Sequence, residues 1–331
     1  MEQQLSRLPA KQLQHYSQNS QLARTLHAPC ACRGHERDEL LFFSFLDLSR
    51  ASGIVVNVLQ SGQWQLKTGS DTARVTVPFA WASMRPPVPL LSNDVHVWAV
   101  KLSHPLAKVR YFRSLLSADE RVRARRFYFD QDRCAYTVAR SVLRLLIGHY
   151  QGCRPAAVEF YQGKHGKPAM LGGGLEFNIS HSHGIGLLAF ARGRDIGVDV
   201  EKINPRTVSD PLAKRSFSAW EYEQFTALPR NQRSQAFYRC WTRKEAFIKA
   251  LGMGLAFPLN SFDVSLHPDQ DARLIRIEGS DEKASKWTME ALAPCRDYLG
   301  AVVAGGHGWR LSCFAFPDDG VSWTSYELHQ N

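Results

Sequence analysis

Two short stretches carry residue types that do chemistry, at spacings that bring them together. In "WTRKEAFIKALGMGL" (residues 241–255) Trp241, Glu245 and Lys249 recur every four residues, so a helix would set them on one face. In "DIGVDVE" (195–201) Asp199 and Glu201 are two residues apart, and on a strand they would point to the same side. Neighbouring carboxylates repel, and they persist where water or a cation stabilises them. A hard cation such as Mg2+ takes oxygen ligands and suits one or two carboxylates completed by phosphate and water. Glu245 would add a third oxygen or serve as a base. Lys249, one turn further on, would stabilise charge developing on a leaving phosphate oxygen. Singly these features are ordinary: an i,i+4 Glu–Lys pair on a solvated face is worth only ~0.3–0.5 kcal/mol. Their combination calls for a site.

An anion-binding part comes from upstream. "GKHGKP" (163–168) packs two glycines, two lysines and a proline into a tight loop, which can bring backbone N–H groups and Lys167 against a phosphate. "FNISHSHG" (177–184) reads as a strand into a turn that presents Ser180 and His181, a hydroxyl and an imidazole suited to phosphate or ribose. "ERVRARRF" (120–127) adds Arg121, Arg123, Arg125 and Arg126. A nucleic-acid reading of these arginines would need a recognisable binding module, and the sequence shows none.

Positioning these residues requires regular elements. The helix that carries Trp241, Glu245 and Lys249 is expected to end near Leu251, stopped by Gly252 and Gly254. "DVHVWAVKL" (94–102) alternates like a strand. The mostly helical stretch after it opens at Ser117, with Glu120 completing a capping box. A similar unit returns about a hundred residues later, from "SAWEYEQF" at Ser218 to "FIKALG". Strand-like "LEFNIS", "GLLAFA" and "IGVDVE" follow the first helices, and "SFDVSL", "WTMEAL" and "LGAVVAG" the second. The expectation is an α+β fold of two pseudo-symmetric α/β halves, residues 93–202 and 203–331, with a cleft between them as the ligand site. Residues 1–92 form an extension of no assigned role. Its first 35 residues or so are rich in Gln, Ser and Arg and are expected to be flexible. Residues 53–79 alternate like short strands, and the Pro-rich "MRPPVPLLSND" (84–94) makes a linker.

Composition narrows the class. The chain has 331 residues, 44% of them hydrophobic and 22% charged, with eight tryptophans and eighteen phenylalanines, so wholesale disorder is excluded. A formal charge of +10 favours an anionic partner. No stretch approaches the roughly 20 apolar residues needed to span a bilayer. Seven scattered cysteines are no disulfide framework, and together these features suggest a cytoplasmic, reduced protein. "HAPCACRGH", with His27, Cys30, Cys32 and His35, lacks zinc-knuckle spacing, and no metal is assigned there.

Taken together, these segments resemble the Sfp-type 4'-phosphopantetheinyl transferases. That family carries a "G-(I/V)-D-(I/V)-E" strand and a "W-(S/T)-x-K-E-(S/A)-x-x-K-x-x-G-x-G" helix, matched here by Trp241, Thr242, Lys244, Glu245, Ala246, Lys249, Gly252 and Gly254. The "G-K-P" loop and "F-N-(I/L)-S-H-S" complete the set in family order, and the resemblance covers roughly residues 94 to 328.

The resemblance implies a holo-[acyl-carrier-protein] synthase activity. The phosphopantetheine arm of coenzyme A would pass to a serine of an apo acyl or peptidyl carrier protein, releasing adenosine 3',5'-bisphosphate. By position it makes Asp199, Glu201 and Glu245 the Mg2+ carboxylates, Glu245 also the base for the serine hydroxyl, and Lys249 the partner of the departing phosphate. It makes Lys167, Ser180, His181 and Arg123 the cradle for coenzyme A, and gives Lys244 the task of orienting Glu245 or contacting phosphate. One chain carrying both halves would suffice as a monomer, with no membrane or nucleic-acid partner. The other readings are a different Mg2+-dependent, pyrophosphate-cleaving transferase on the same scaffold, or a basic nucleic-acid-binding protein supported by charge alone.

Overall fold

A computed structural model describes residues 55–58, 64–68, 71–75, 82–83, 88–163 and 166–317. The expectations for residues 1–35, for the loop from His27 to His35 and for the last residues of the resemblance lie outside that set. By its internal contacts the chain divides between Thr76 and Val77. In the first unit β1 (Val55–Val58), β2 (Trp64–Thr68) and β3 (Asp71–Val75) form an antiparallel meander, on the stretch whose alternation predicts strands.

The second unit opens with the two-residue β4 (Ala82–Ser83) and then uses one pattern twice. The first pass runs β5 (Asp94–Lys101), α1 (Leu106–Ser114), α2 (Ala118–Arg125), α3 (Asp130–Gln151), β6 (Phe160–Gln162), β7 (Pro168–Met170), β8 (Glu176–Ser182) and β9 (Ile185–Ala191). The second runs β10 (Ile196–Lys202), α4 (Asp210–Ser216), α5 (Ala219–Ala227), α6 (Arg230–Leu251), β11 (Phe262–Val264), β12 (Leu274–Ile277), α7 (Asp281–Ala284), β13 (Trp287–Leu292) and β14 (Tyr298–Gly305). In each pass the first strand pairs antiparallel with the last, β5 with β9 and β10 with β14, and the penultimate strand adds outside it. The closing β15 (Arg310–Ala315) returns to the first sheet, parallel to β5, giving the order β4-β15-β5-β9-β8 against β10-β14-β13.

Sequence order suggests that β10 ends the first half at residue 202. Its ladder to β14 instead makes it the opening strand of the second pass.

The helices repeat in detail. α3 and α6 are each 22 residues long and each stops at a left-handed glycine, Gly152 (φ 65°) and Gly252 (φ 67°), a conformation open to glycine at little cost. Each follows a short helix begun by a capping box, Ser117 with Glu120 and Ser218 with Glu221. In both passes the box glutamate is buried and reaches the middle of the long helix. Glu120 meets Arg140 and Arg144 at 2.5 and 2.6 Å, and Glu221 meets Lys244 at 2.7 Å.

Among the described residues, strands buried on both faces feed a core on each side. Val95 and Val97 of β5 join Leu187, Val198, Val200 and Val302 in one core. Trp98 and Val100 face the other way, onto Val142, Leu146 and Phe190, so that α3 covers the first sheet. On the second sheet α6 lies against β10 at its glycine. A Cβ built on Gly197 would overlap the Ala246 carbonyl oxygen and the Ala250 amide nitrogen, so only glycine lets helix and strand backbones meet.

Candidate active site

That close approach sets the reactive face of α6 beside the carboxylate end of β10. Trp241, Glu245 and Lys249 do share a face: Trp241 is buried and stacks on Phe237, with rings 13° from parallel, and Glu245 is 3% exposed. Lys249 extends to β10, where its ammonium donates to Asp199 Oδ1 at 2.6 Å and to Ser180 Oγ at 2.9 Å. The Ser180 hydroxyl donates to the same carboxylate oxygen at 2.7 Å. Burial disfavours the charge on Lys249, but the Asp199, Glu245 and Glu201 carboxylates more than offset it and raise its pKa. One lysine therefore sits in the field of all three carboxylates.

Ser180 reaches Asp199 because β8 and β10 lie edge to edge without a backbone ladder. The alternate residues Asn178, Ser180 and Ser182 share one face of β8 and bridge the gap with their side chains. Asn178 Oδ1 accepts from the Val198 N–H at 2.9 Å, and Ser182 Oγ accepts from the Lys202 N–H at 3.2 Å. Ser182 also donates to Glu201 Oε2 at 2.7 Å. Each carboxylate of β10 thus has its own serine from β8. Burial and the nearby Asp199 charge raise the pKa of Glu201, while the Ser182 hydrogen bond and Lys249 oppose them. The period of two that Asn178 and Ser182 keep with Ser180 is the signal in the sequence for their place beside it.

His181 follows the same alternation and points away from the serines, to an exposed position. Its pKa is lowered by the protein around its ring and by Lys249, against Asp132 at the start of α3 and Asp199. Arg123 is exposed on α2 with its guanidinium 5.7 Å from the Tyr136 ring centre, and no described contact brings it to the carboxylates.

Two lysines expected at the ligand are engaged elsewhere. Lys244 is fully buried and donates to Glu221, to the Leu259 carbonyl at 2.8 Å and to the Phe262 carbonyl at 2.6 Å. All three of its N–H donors are thereby occupied. It lies on a different side of α6 from Glu245, as adjacent helical positions do. Lys167 donates to the carbonyls of Ile196 at 3.0 Å and Ala250 at 3.3 Å, tying the start of β10 to the last turn of α6. The loop around it is tight as expected, with Gly166 at φ 82° and the Gly163 N–H donating to the Lys167 carbonyl at 2.9 Å.

A hard divalent cation fits this donor set. The candidate ligands are all carboxylates, and Asp199 Oδ2 is buried with no hydrogen-bond partner among the described residues, a costly state for an anionic oxygen. No three His, Cys, Asp or Glu side chains of the described residues are grouped closely enough to hold a metal by themselves. A Mg2+ ion there would draw the rest of its shell from water and substrate phosphate.

The chain is similar to known proteins over both passes. The family described as the 4'-phosphopantetheinyl transferase superfamily matches residues 195–303, and the N-terminal 4'-phosphopantetheinyl transferase family matches 105–191. The chain is 37% identical over 235 residues to 4'-phosphopantetheinyl transferase HetI of Nostoc sp., which is 70% of this chain and 95% of HetI. The chain belongs to the 4'-phosphopantetheinyl transferase superfamily. To 4'-phosphopantetheinyl transferase Sfp of Bacillus subtilis it is 34% identical over 237 residues, 70% of this chain and 98% of Sfp. This phosphopantetheinyl transferase is therefore an enzyme. One matched region falls in each structural pass: the first runs from the start of α1 to the end of β9 and leaves out β5, and the second begins just before β10 and ends within β14. No helix among its described residues is long and apolar enough to cross a membrane.

Proposed function

We propose that this transferase moves the 4'-phosphopantetheine arm of coenzyme A to a serine hydroxyl of an apo acyl or peptidyl carrier protein, in a Mg2+-dependent reaction that releases adenosine 3',5'-bisphosphate. The observation that carries the reading is the contact of Lys249 with Asp199 and Ser180, which joins the α6 face to the carboxylates of β10. It supplies acid oxygens for a cation, a base and a cationic group for a leaving phosphate within one site.

Asp199, Glu201 and Glu245 would hold Mg2+, with Ser180 and Ser182 orienting the first two. When bound, the ion polarises the pyrophosphate and neutralises its charge. Glu245 accepts the proton of the carrier serine hydroxyl, directly or through water. The serine oxygen forms a bond to the phosphorus that bears the pantetheine arm, and the bond from that phosphorus to the bridging oxygen breaks. Lys249 neutralises or protonates the departing oxygen. Ser180, His181 and Arg123 complete the cradle for the nucleotide. Lys167 and Lys244 act at a distance, holding β10 and α6 in place. The excess of basic residues suits an acidic carrier surface.

The test is the second product. Adenosine 3',5'-bisphosphate should appear in step with carrier modification, and chelation of divalent cations should stop both. Carrier modification without that nucleotide would remove the reading.

A further inference from the structure

The two oxygens of Asp199 are in unlike situations. Oδ1 accepts from both Lys249 and Ser180, at 2.6 and 2.7 Å, whereas Oδ2 is buried and has no hydrogen-bond partner among the described residues. The Lys249 side chain is 24% exposed and that of Asp199 5%, so the lysine is the more accessible of the pair. Lys249 balances the charge of the central carboxylate.

We propose that Lys249 is a resident counter-ion of Asp199 that competes with the divalent cation, so that metal and anionic co-substrate bind interdependently. This rests on the reading given under Proposed function. A dication on the free oxygen would share one carboxylate with the ammonium, and like charges so close repel strongly in a partly buried site. The ammonium relieves that repulsion by turning to another anion, and the pyrophosphate of coenzyme A supplies one. The metal thus releases the lysine for the phosphate, and the phosphate makes room for the metal. Such coupling is reciprocal: each ligand tightens the other by the same factor, typically about 5- to 150-fold.

Mn2+ serves as the probe, its binding followed by electron paramagnetic resonance and that of coenzyme A by calorimetry, both on the full chain at one pH. The wild type should bind Mn2+ weakly alone, and about ten-fold or more tightly with coenzyme A present. Lys249→Met keeps the stem and removes the charge. It should bind Mn2+ alone about ten-fold more tightly than the wild type and show a smaller coupling factor. Lys249→Arg should keep the wild-type metal affinity. Lys249→Met binding Mn2+ alone no better than the wild type would overturn the proposal. So would a coupling factor of one in the wild type, which needs no variant to fold. A wild type that binds no coenzyme A at any metal concentration instead removes the transferase reading, and this inference with it.

Discussion

Gly197 of β10 lies directly on the backbone of α6 at Ala246, with no room for a β-carbon between them. That contact lets Lys249, three residues after Ala246, reach Asp199, two residues after Gly197. The glycine of "DIGVDVE" is thus as much a part of the site as its two carboxylates.

Gly197→Ala should therefore be severe. Backbone atoms cannot swing aside as a side chain can, so the strand and helix must separate, and overpacking of this kind costs about 1–3 kcal/mol or more. Urea unfolding should show that loss, and the folded fraction should transfer poorly because Lys249 and Asp199 have moved apart. A variant with wild-type stability and turnover would mean that the two elements are not in contact.

Lys244 and Glu221 should behave as a structural pair. Breaking a fully buried ion pair from one side leaves an uncompensated charge and costs about 3–5 kcal/mol, while replacing both partners by apolar residues is often near neutral. Lys244→Met and Glu221→Leu should each destabilise strongly, and the double variant should recover much of the loss. The KM for coenzyme A should stay near wild type in the double variant. A large rise in KM there would return Lys244 to the ligand.

The pH dependence of stability should include His96. It is buried on β5 with Nδ1 2.8 Å from the Tyr150 hydroxyl, and Trp98 donates to that same hydroxyl at 2.8 Å. Burial brings its pKa down to about 4, against an opposing push from Asp94 and a reinforcing one from His149. Between pH 6.5 and about 4 the unfolded chain takes up a proton here that the folded chain refuses, so stability is complete above 6.5 and falls with acid. Across the window this amounts to about 3 kcal/mol. His96→Gln should flatten the fall in urea midpoint between pH 7 and pH 4.5. An unchanged slope would show that His96 titrates normally.

Much of this was legible in the residues because it is local. The four-residue period of Trp241, Glu245 and Lys249, the glycine stop at Gly252 and the capping box of Ser117 and Glu120 concern neighbours a turn apart, where spacing alone decides direction. The same periodicity sets Lys244 off the face of Glu245. The hydrogen bonds of Lys167 and Lys244 go to carbonyls far away in sequence, at Ile196, Ala250, Leu259 and Phe262, which spacing cannot report. Strand partnership is equally non-local: nothing within "IGVDVE" says that β10 pairs with β14, or that β15 crosses back to β5.

The central claim is that Glu245, Asp199 and Lys249 form the transfer site. Intact-mass spectrometry of an apo carrier protein, incubated with the enzyme, coenzyme A and Mg2+, tests it most directly, with a matched Glu245→Gln sample alongside. A gain of one phosphopantetheine arm is expected with the wild type. The variant should melt like the wild type and transfer about 10²–10⁴-fold more slowly, the contribution of a positioned base. Equal modification by both enzymes would place the chemistry elsewhere.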